Sequence, residues 1–208
     1  MTSPEEPPGD PPKRTLREEV TNLPNLLTFT RIAMIPPVMV LMLQGTRWAN
    51  VIAALLFTLA AITDWLDGYL ARKRNLVSVL GKLLDPLADK LIVTATLVIA
   101  AELGRIPGWF VVLLLSRELS IQALRAIASS EGLSIDVVSS GKFKTAFQLI
   151  GLVALLLHER FYIDFLFAGR VIVDFNALGF WLLALAMVFS LASAGQYFGK
   201  FLGAIAKR

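Results

Sequence analysis

Six stretches dominate this chain: residues 26–43, 48–70, 80–101, 107–128, 143–157 and 175–197 are apolar over most of their length. A helix needs about 20 apolar residues to cross a bilayer, and fewer or more with tilt and mismatch. Inside the hydrocarbon every backbone N–H and C=O must find a partner within the protein. With 56% hydrophobic residues and a mean hydropathy of +0.67, the chain is far more apolar than a soluble domain. These features predict an all-α integral membrane protein of six transmembrane helices. Residues 23–200 form its one membrane domain, and the prolines at Pro36-Pro37 are expected to kink the first span.

The ends read differently. Residues 1–14 are rich in Pro and charge and are expected to be a disordered tail. They resemble neither a signal peptide nor an Arg-rich transit peptide. Residues 15–22 suit a short interfacial helix, and 201–208 a short basic tail. There is no cysteine, which excludes disulfides and thiolate chemistry. A net charge of +4 is modest and reads as topology and affinity for anionic lipid, not as nucleic-acid binding.

Six spans put both termini on one side, and the basic residues say which. The N-tail, the second and fourth connections and the C-tail hold Lys13, Arg14, Arg17, Arg72, Lys73, Arg74, Lys82, Arg125, Lys142, Lys144, Lys200, Lys207 and Arg208. The opposite side holds only Arg47, Arg105, Arg160 and Arg170. The positive-inside rule then predicts cytoplasmic termini.

Between the second and third spans the apolar pattern is broken by DWLDGYLARKRNLVSVLGKLLDPLAD, residues 64–89. Asp64 and Asp67 are three apart, and Asp85 and Asp89 four apart. On a helix each spacing stacks two carboxylates on one face, a turn apart. Two such pairs facing each other make a cage of hard oxygen ligands suited to Mg²⁺ or Mn²⁺. Ionisable groups in a membrane segment are costly, which makes them functional candidates. Gly68 and Ala71 keep the helix surface small where a ligand would approach, and Arg72 offers a planar cation for a phosphate. Pro86 falls in the first turn of the third span, where a missing N–H costs little.

Asp64, Asp67, Gly68, Ala71, Arg72, Gly81, Asp85 and Asp89 match the signature of the CDP-alcohol phosphotransferases without departure. The resemblance implies an integral membrane enzyme with a two-metal site. Such enzymes move a phosphatidyl or similar group from a CDP-linked donor to an acceptor alcohol and release CMP. It implies that Asp64, Asp67 and Asp85 are shared metal ligands, and that Asp89 binds the second ion. It also implies that Asp89 is the base that deprotonates the acceptor hydroxyl; the alternative is that Asp89 is a ligand only. Gly68, Ala71, Arg72 and Gly81 would border the donor. Ser78 matches a hydroxyl residue that contacts the donor in the family. Asn25 and Thr28 match a position near the donor, and a helix N-cap explains them equally well.

The stretches NLPNLLTFTRIAMIP, TDWLDGYLARK, GKLLDPLADKLIV, SRELSIQALR and SGKFKT together resemble the phosphatidylglycerophosphate synthases over most of residues 22–150, with Ser120 and Gln122 departing from the usual wording. That resemblance implies CDP-diacylglycerol as donor, glycerol 3-phosphate as acceptor, and a role in phosphatidylglycerol and cardiolipin synthesis. The place implied is the cytoplasmic side of a bacterial inner membrane. Other acceptors within the family are phosphatidylglycerol, inositol phosphate and serine; outside it, the aspartates would suit a cation transporter. An acceptor phosphate needs fixed cations, and Arg117, Arg125, Lys142 and Lys144 are the candidates. Arg117 lies mid-span, where a cation needs a partner or an anionic ligand. Glu118 points about 100° away from it on a helix and is expected to pair elsewhere. Arg31, near the start of the first span, either snorkels or faces the site.

The remaining conspicuous residues read as structural. His158, the sole histidine, is expected at the non-cytoplasmic interface, remote from the aspartates. Trp48, Trp109, Trp181, Tyr162 and Tyr197 read as interface aromatics. Gly195, Gly199 and Gly203 form small-xxx-small steps that suit either a homodimer contact or packing within one chain.

Overall fold

A computed structural model describes residues 23–74, 79–131, 140–165 and 169–205. Residues 23, 24, 64–74, 79–83, 85, 86, 140–142, 163–165, 169, 170 and 205 are described by backbone alone. The expectations for residues 1–22 and for Ser78, Lys207 and Arg208 lie outside the described residues. Among the described residues six helices carry the fold. They are α1 (Leu23–Gln44), α2 (Arg47–Arg74), α3 (Val79–Glu102), α4 (Gly108–Ser130), α5 (Ser140–Leu157) and α6 (Phe175–Ile205). Each coincides with one predicted span to within a few residues at most ends. The exception is the last, which runs on to Ile205, so most of the expected C-terminal tail is helix. α1 continues through Pro36 and Pro37.

Between α5 and α6 the chain turns into a β-hairpin, β1 (Arg160–Phe165) and β2 (Gly169–Asp174), which a purely helical reading did not include. The strands pair antiparallel, with Tyr162 opposite Ile172 and Arg160 opposite Asp174. Both segments are rich in aromatic and β-branched residues, which fit a pleated surface. Phe161 meets Phe175 edge to face at 5.2 Å, and the Arg47 guanidinium lies 4.7 Å from the Phe161 ring centroid. Asp174 closes the hairpin and opens α6. Its Oδ1 accepts from the Ala177 N–H at 3.0 Å, as an N-cap does, and its Oδ2 accepts from Arg160 Nε at 3.1 Å.

The dense core lies toward the hairpin end. Val38 and Met42 of α1, Phe57 of α2, Leu97 of α3, Leu152 and Leu155 of α5 and Leu183 of α6 are fully buried there, with Ile106 just ahead of α4. α5 and α6 form the most extensive contact, and two glycines set their approach. A Cβ at Gly179 would stand 2.7 Å from Leu155 N and 2.8 Å from Gly151 O, so the helix backbones touch where no side chain fits. By contrast a Cβ at Gly195, Gly199 or Gly203 meets nothing within 4 Å among the described residues. α1 packs extensively on both α2 and α3, and α4 touches its neighbours sparsely.

α1, from Asn25 to Gln44, and α6, from Phe175 to Ala204, are long and apolar enough to cross a membrane. Large apolar side chains also face outward on the other helices, among them Leu55, Leu59 and Ile62 on α2, Val98 on α3, Val112 on α4 and Ile150 on α5. Trp48, Trp109, Tyr162 and Trp181 are exposed at or near the hairpin end, as interface aromatics would be. Tyr197 departs from that expectation: it is buried under Arg125, whose guanidinium lies 5.6 Å from its ring centroid.

One residue that sequence reasoning missed ties this end together. Arg105, between α3 and α4, is only 5% exposed. Its Nη1 donates to the carbonyls of Leu155 and Leu156, each at 3.2 Å, and its Nη2 to Met42 O at 3.4 Å and Asn50 Oδ1 at 2.8 Å. The three carbonyls are at the C-terminal ends of α1 and α5, where helices leave acceptors without intrahelical partners and a cation is favoured. Burial lowers the pKa of Arg105, while the carboxylate of Glu159 raises it.

Candidate active site

The signature residues fall on two helices joined by a short connection. Asp64, Asp67, Gly68, Ala71 and Arg72 are in the last turns of α2, and Gly81, Asp85 and Asp89 in the first half of α3. Of the four aspartates, Asp89 is the one whose side chain is described. It lines two adjoining cavities. The smaller is bordered by Arg31 of α1, Ala60 and Ala61 of α2, and Asp89 and Ile92 of α3. Asp64 follows Ala60 by four residues, and Asp85 precedes Asp89 by four, one helical turn in each case. Arg31 is 2% exposed and turned into the protein, so it does not snorkel.

α1 carries Asn25 and Thr28 on the same stripe as Arg31, at i, i+3 and i+6, and all three are buried. Since α1 begins at Leu23, Asn25 and Thr28 lie inside its first turns and are not its N-cap.

The larger cavity, about 240 Å³, opens where α4 stands away from its neighbours. Three helices line it with the same i, i+1, i+4, i+5 spacing, which puts four residues on one helical face. α3 gives Asp89, Lys90, Val93 and Thr94, with Leu97 a turn further on; α4 gives Leu114, Leu115, Glu118 and Leu119; α5 gives Lys144, Thr145, Gln148 and Leu149. Ser190 closes it from α6. The lining is mostly apolar in surface with a few polar and charged side chains among it, the composition of a small-molecule site.

The four candidate acceptor cations are not all together. Lys144 lines the cavity and donates to Glu118 Oε2. Arg117 stands behind that wall: its Nη1 reaches the same Glu118 oxygen at 3.4 Å, and its Nη2 donates to the Ser190 carbonyl of α6. Glu118 therefore does meet its sequence neighbour, by side-chain length despite the angular offset, while its shorter contact is to α5. Arg125 is exposed, covers Tyr197 and is not among the cavity-lining residues, though its charge is near enough to act on Arg117 and Lys144. Lys142 begins α5, with its backbone alone described. Thr145, Gln148 and Ser190 went unread in the sequence. The spacing Lys144–Gln148, four apart on an otherwise apolar helix, was the available signal.

Among the described residues no group of three or more acidic or histidine side chains gathers around one point, but three signature aspartates are outside that set. His158 lies at the hairpin end, with Nδ1 3.0 Å from Asn176 Oδ1, and takes no part in the cavity.

Comparison with known proteins agrees with this layout. The CDP-alcohol phosphatidyltransferase family model matches residues 21–192. A CDP-diacylglycerol–glycerol-3-phosphate 3-phosphatidyltransferase of Bacillus subtilis is 39% identical over 191 residues, covering 86% of this chain and 94% of that protein. The protein of the same name from Rickettsia bellii is 35% identical over 177 residues, covering 85% and 93%. One from Arabidopsis thaliana is 39% identical over 161 residues, covering 70% and 69%. With the match running from the start of α1 into α6 and across both aspartate pairs, this chain belongs to the CDP-alcohol phosphatidyltransferase family.

Proposed function

We propose that this chain transfers the phosphatidyl group of CDP-diacylglycerol to glycerol 3-phosphate, forming phosphatidylglycerophosphate and releasing CMP. The observation that carries the reading is the larger cavity. It brings a signature carboxylate, Asp89, into one space with Lys144 and Glu118, and with Arg117 behind them. The relatives' names point to the same pair of substrates.

In this reading Arg72 and the small surface of Gly68, Ala71 and Gly81 receive the donor, with Asn25, Thr28 and Ser78 beside it. The acceptor phosphate lies on the side of Lys144 and Arg117, with Lys142 close by in sequence. Arg125, occupied at Tyr197, is the least suited of the four. The acceptor oxygen forms a bond to the phosphatidyl phosphorus as the bond to CMP breaks. In this reading Asp89 takes the hydroxyl proton, an assignment supported by its place in the lining of the same cavity.

The donor set of Asp64, Asp67, Asp85 and Asp89 is made of hard oxygens, which fits two Mg²⁺ or Mn²⁺ ions. Bound there, the ions would neutralise the diphosphate charge. Purified protein given CDP-diacylglycerol and each acceptor in turn should form phosphatidylglycerophosphate from glycerol 3-phosphate alone. A chelator should stop the reaction and either ion restore it. A different product lipid would overturn the acceptor, and full activity in chelator would overturn the metals.

We further read all six helices as spans, with both termini and the aspartates on the cytoplasmic side. Outward apolar residues on every helix and exposed aromatics at the hairpin end support this. The chain lacks cysteine, so a single introduced one reports its own position. A cysteine at position 158 should react with an impermeant thiol reagent in intact cells, and one at position 74 should not. The reverse pattern would invert the orientation.

A further inference from the structure

Resting on the acceptor reading above, we propose that Glu118 is the built-in anion of the empty acceptor site: it holds Lys144 and Arg117 in place, and the phosphate dianion of the acceptor displaces it. One oxygen, Oε2, bridges a guanidinium on α4 and an ammonium on α5. That is the bridging position a phosphate oxygen would take. Without an anion the two cations would stand together in an apolar wall, which is costly.

Two features distinguish this arrangement from a finished structural ion pair. First, the cluster is not saturated. Arg117 Nε and Ser190 Oγ are buried with no hydrogen-bond partner among the described residues. A phosphate carries more acceptor oxygens than the single carboxylate atom now serving both cations. Second, the exposures are unequal. The side chains of Arg117 and Lys144 are 11% and 14% exposed, while that of Glu118 is 34% exposed. A displaced Glu118 has water within reach, so it need not become a buried, unpaired charge. The cations have no such exit and stay to receive the ligand. Glu118 is thus a positioning residue, one that orders the site when empty and competes with the acceptor for it.

The test uses the purified full-length chain, wild type and Glu118→Gln, with Arg117→Ala as control. Without added anion, Glu118→Gln should unfold at a lower temperature than wild type. Glycerol 3-phosphate, and more weakly inorganic phosphate, should raise its midpoint by more than they raise that of wild type. Its KM for glycerol 3-phosphate should fall roughly threefold to tenfold, because the competing carboxylate is gone, with the KM for CDP-diacylglycerol unchanged. A merely structural Glu118 would instead give an equal or higher KM. If Glu118→Gln is lost on purification without anion, glycerol 3-phosphate in the buffers should recover it, and failure to do so overturns the proposal. If wild type is stabilised by glycerol 3-phosphate, and Arg117→Ala is not, yet Glu118→Gln binds no tighter, this inference alone fails. If glycerol 3-phosphate does not stabilise wild type, and Arg117→Ala keeps the wild-type KM, the acceptor reading fails with it.

Discussion

Besides Arg31, two arginines of this bundle are largely withdrawn from water, Arg105 and Arg117, and they are held in opposite ways. Arg105, at the hairpin end, gives its two terminal nitrogens to three carbonyls and one amide oxygen. The helices around it meet through fully buried Met42, Leu155 and Leu156. Arg117, beside the larger cavity, keeps Nε without a hydrogen-bond partner among the described residues, and α4, which carries it, packs sparsely on its neighbours. A guanidinium whose acceptors are protein carbonyls fixes helix ends. One that shares a carboxylate next to a cavity has capacity left for a ligand. The cost of a buried cation is met at one end by the fold itself, and at the other only in part.

This contrast orders the expected effects of substitution. Arg105→Ala should be the most damaging. It leaves helix-terminal carbonyls and Asn50 without their donor, and each buried acceptor left unsatisfied costs about 1–3 kcal/mol. Thermal unfolding in detergent should show a large drop, and Arg105→Lys should recover only part of it, because an ammonium cannot reach the same spread of acceptors. An Arg105→Ala protein of wild-type midpoint would break the comparison.

Arg117→Ala should do less to the fold and more to one substrate. Losing a charged hydrogen bond costs about 1.5–3 kcal/mol, or roughly ten- to a hundredfold in binding. The KM for glycerol 3-phosphate should rise by that factor and the KM for CDP-diacylglycerol change little. Equal damage to both constants would make Arg117 a structural residue like Arg105.

The smallest effect belongs to Asp174, on the exposed hairpin. Its carboxyl pKa lies below the ordinary value near 3.8, held there first by the Ala177 N–H and then by Arg160. The ionised form is favoured by folding, so its contribution is complete above that ordinary value and is lost as pH falls through the lower folded one. Asp174→Asn should therefore lower the midpoint slightly at neutral pH. The difference from wild type should shrink in strong acid; a difference that grows there would contradict the capping role.

Much of this was legible beforehand, for definite reasons. Long apolar runs announce helices because the bilayer permits little else, and the six helices fall on those runs. The aspartate spacing marks α2 and α3 because periodicity along one helix is written in sequence. The hairpin was not legible, since a short aromatic and β-branched connection reads as loop until its two halves are seen to pair.

Sequence by itself determined the helices, the signature on α2 and α3, and the family. What only the tertiary structure decided is where charges from different helices end up. Arg105 was counted only as one basic residue on the outer side, yet it is a buried clamp. Arg125 was grouped with Arg117, yet it covers Tyr197. Glu118 joins α4 to α5 across an interval of 26 residues. Such pairings depend on which helix faces meet across the bundle. That is set by packing details such as the backbone contact at Gly179, and no local pattern in the chain records it.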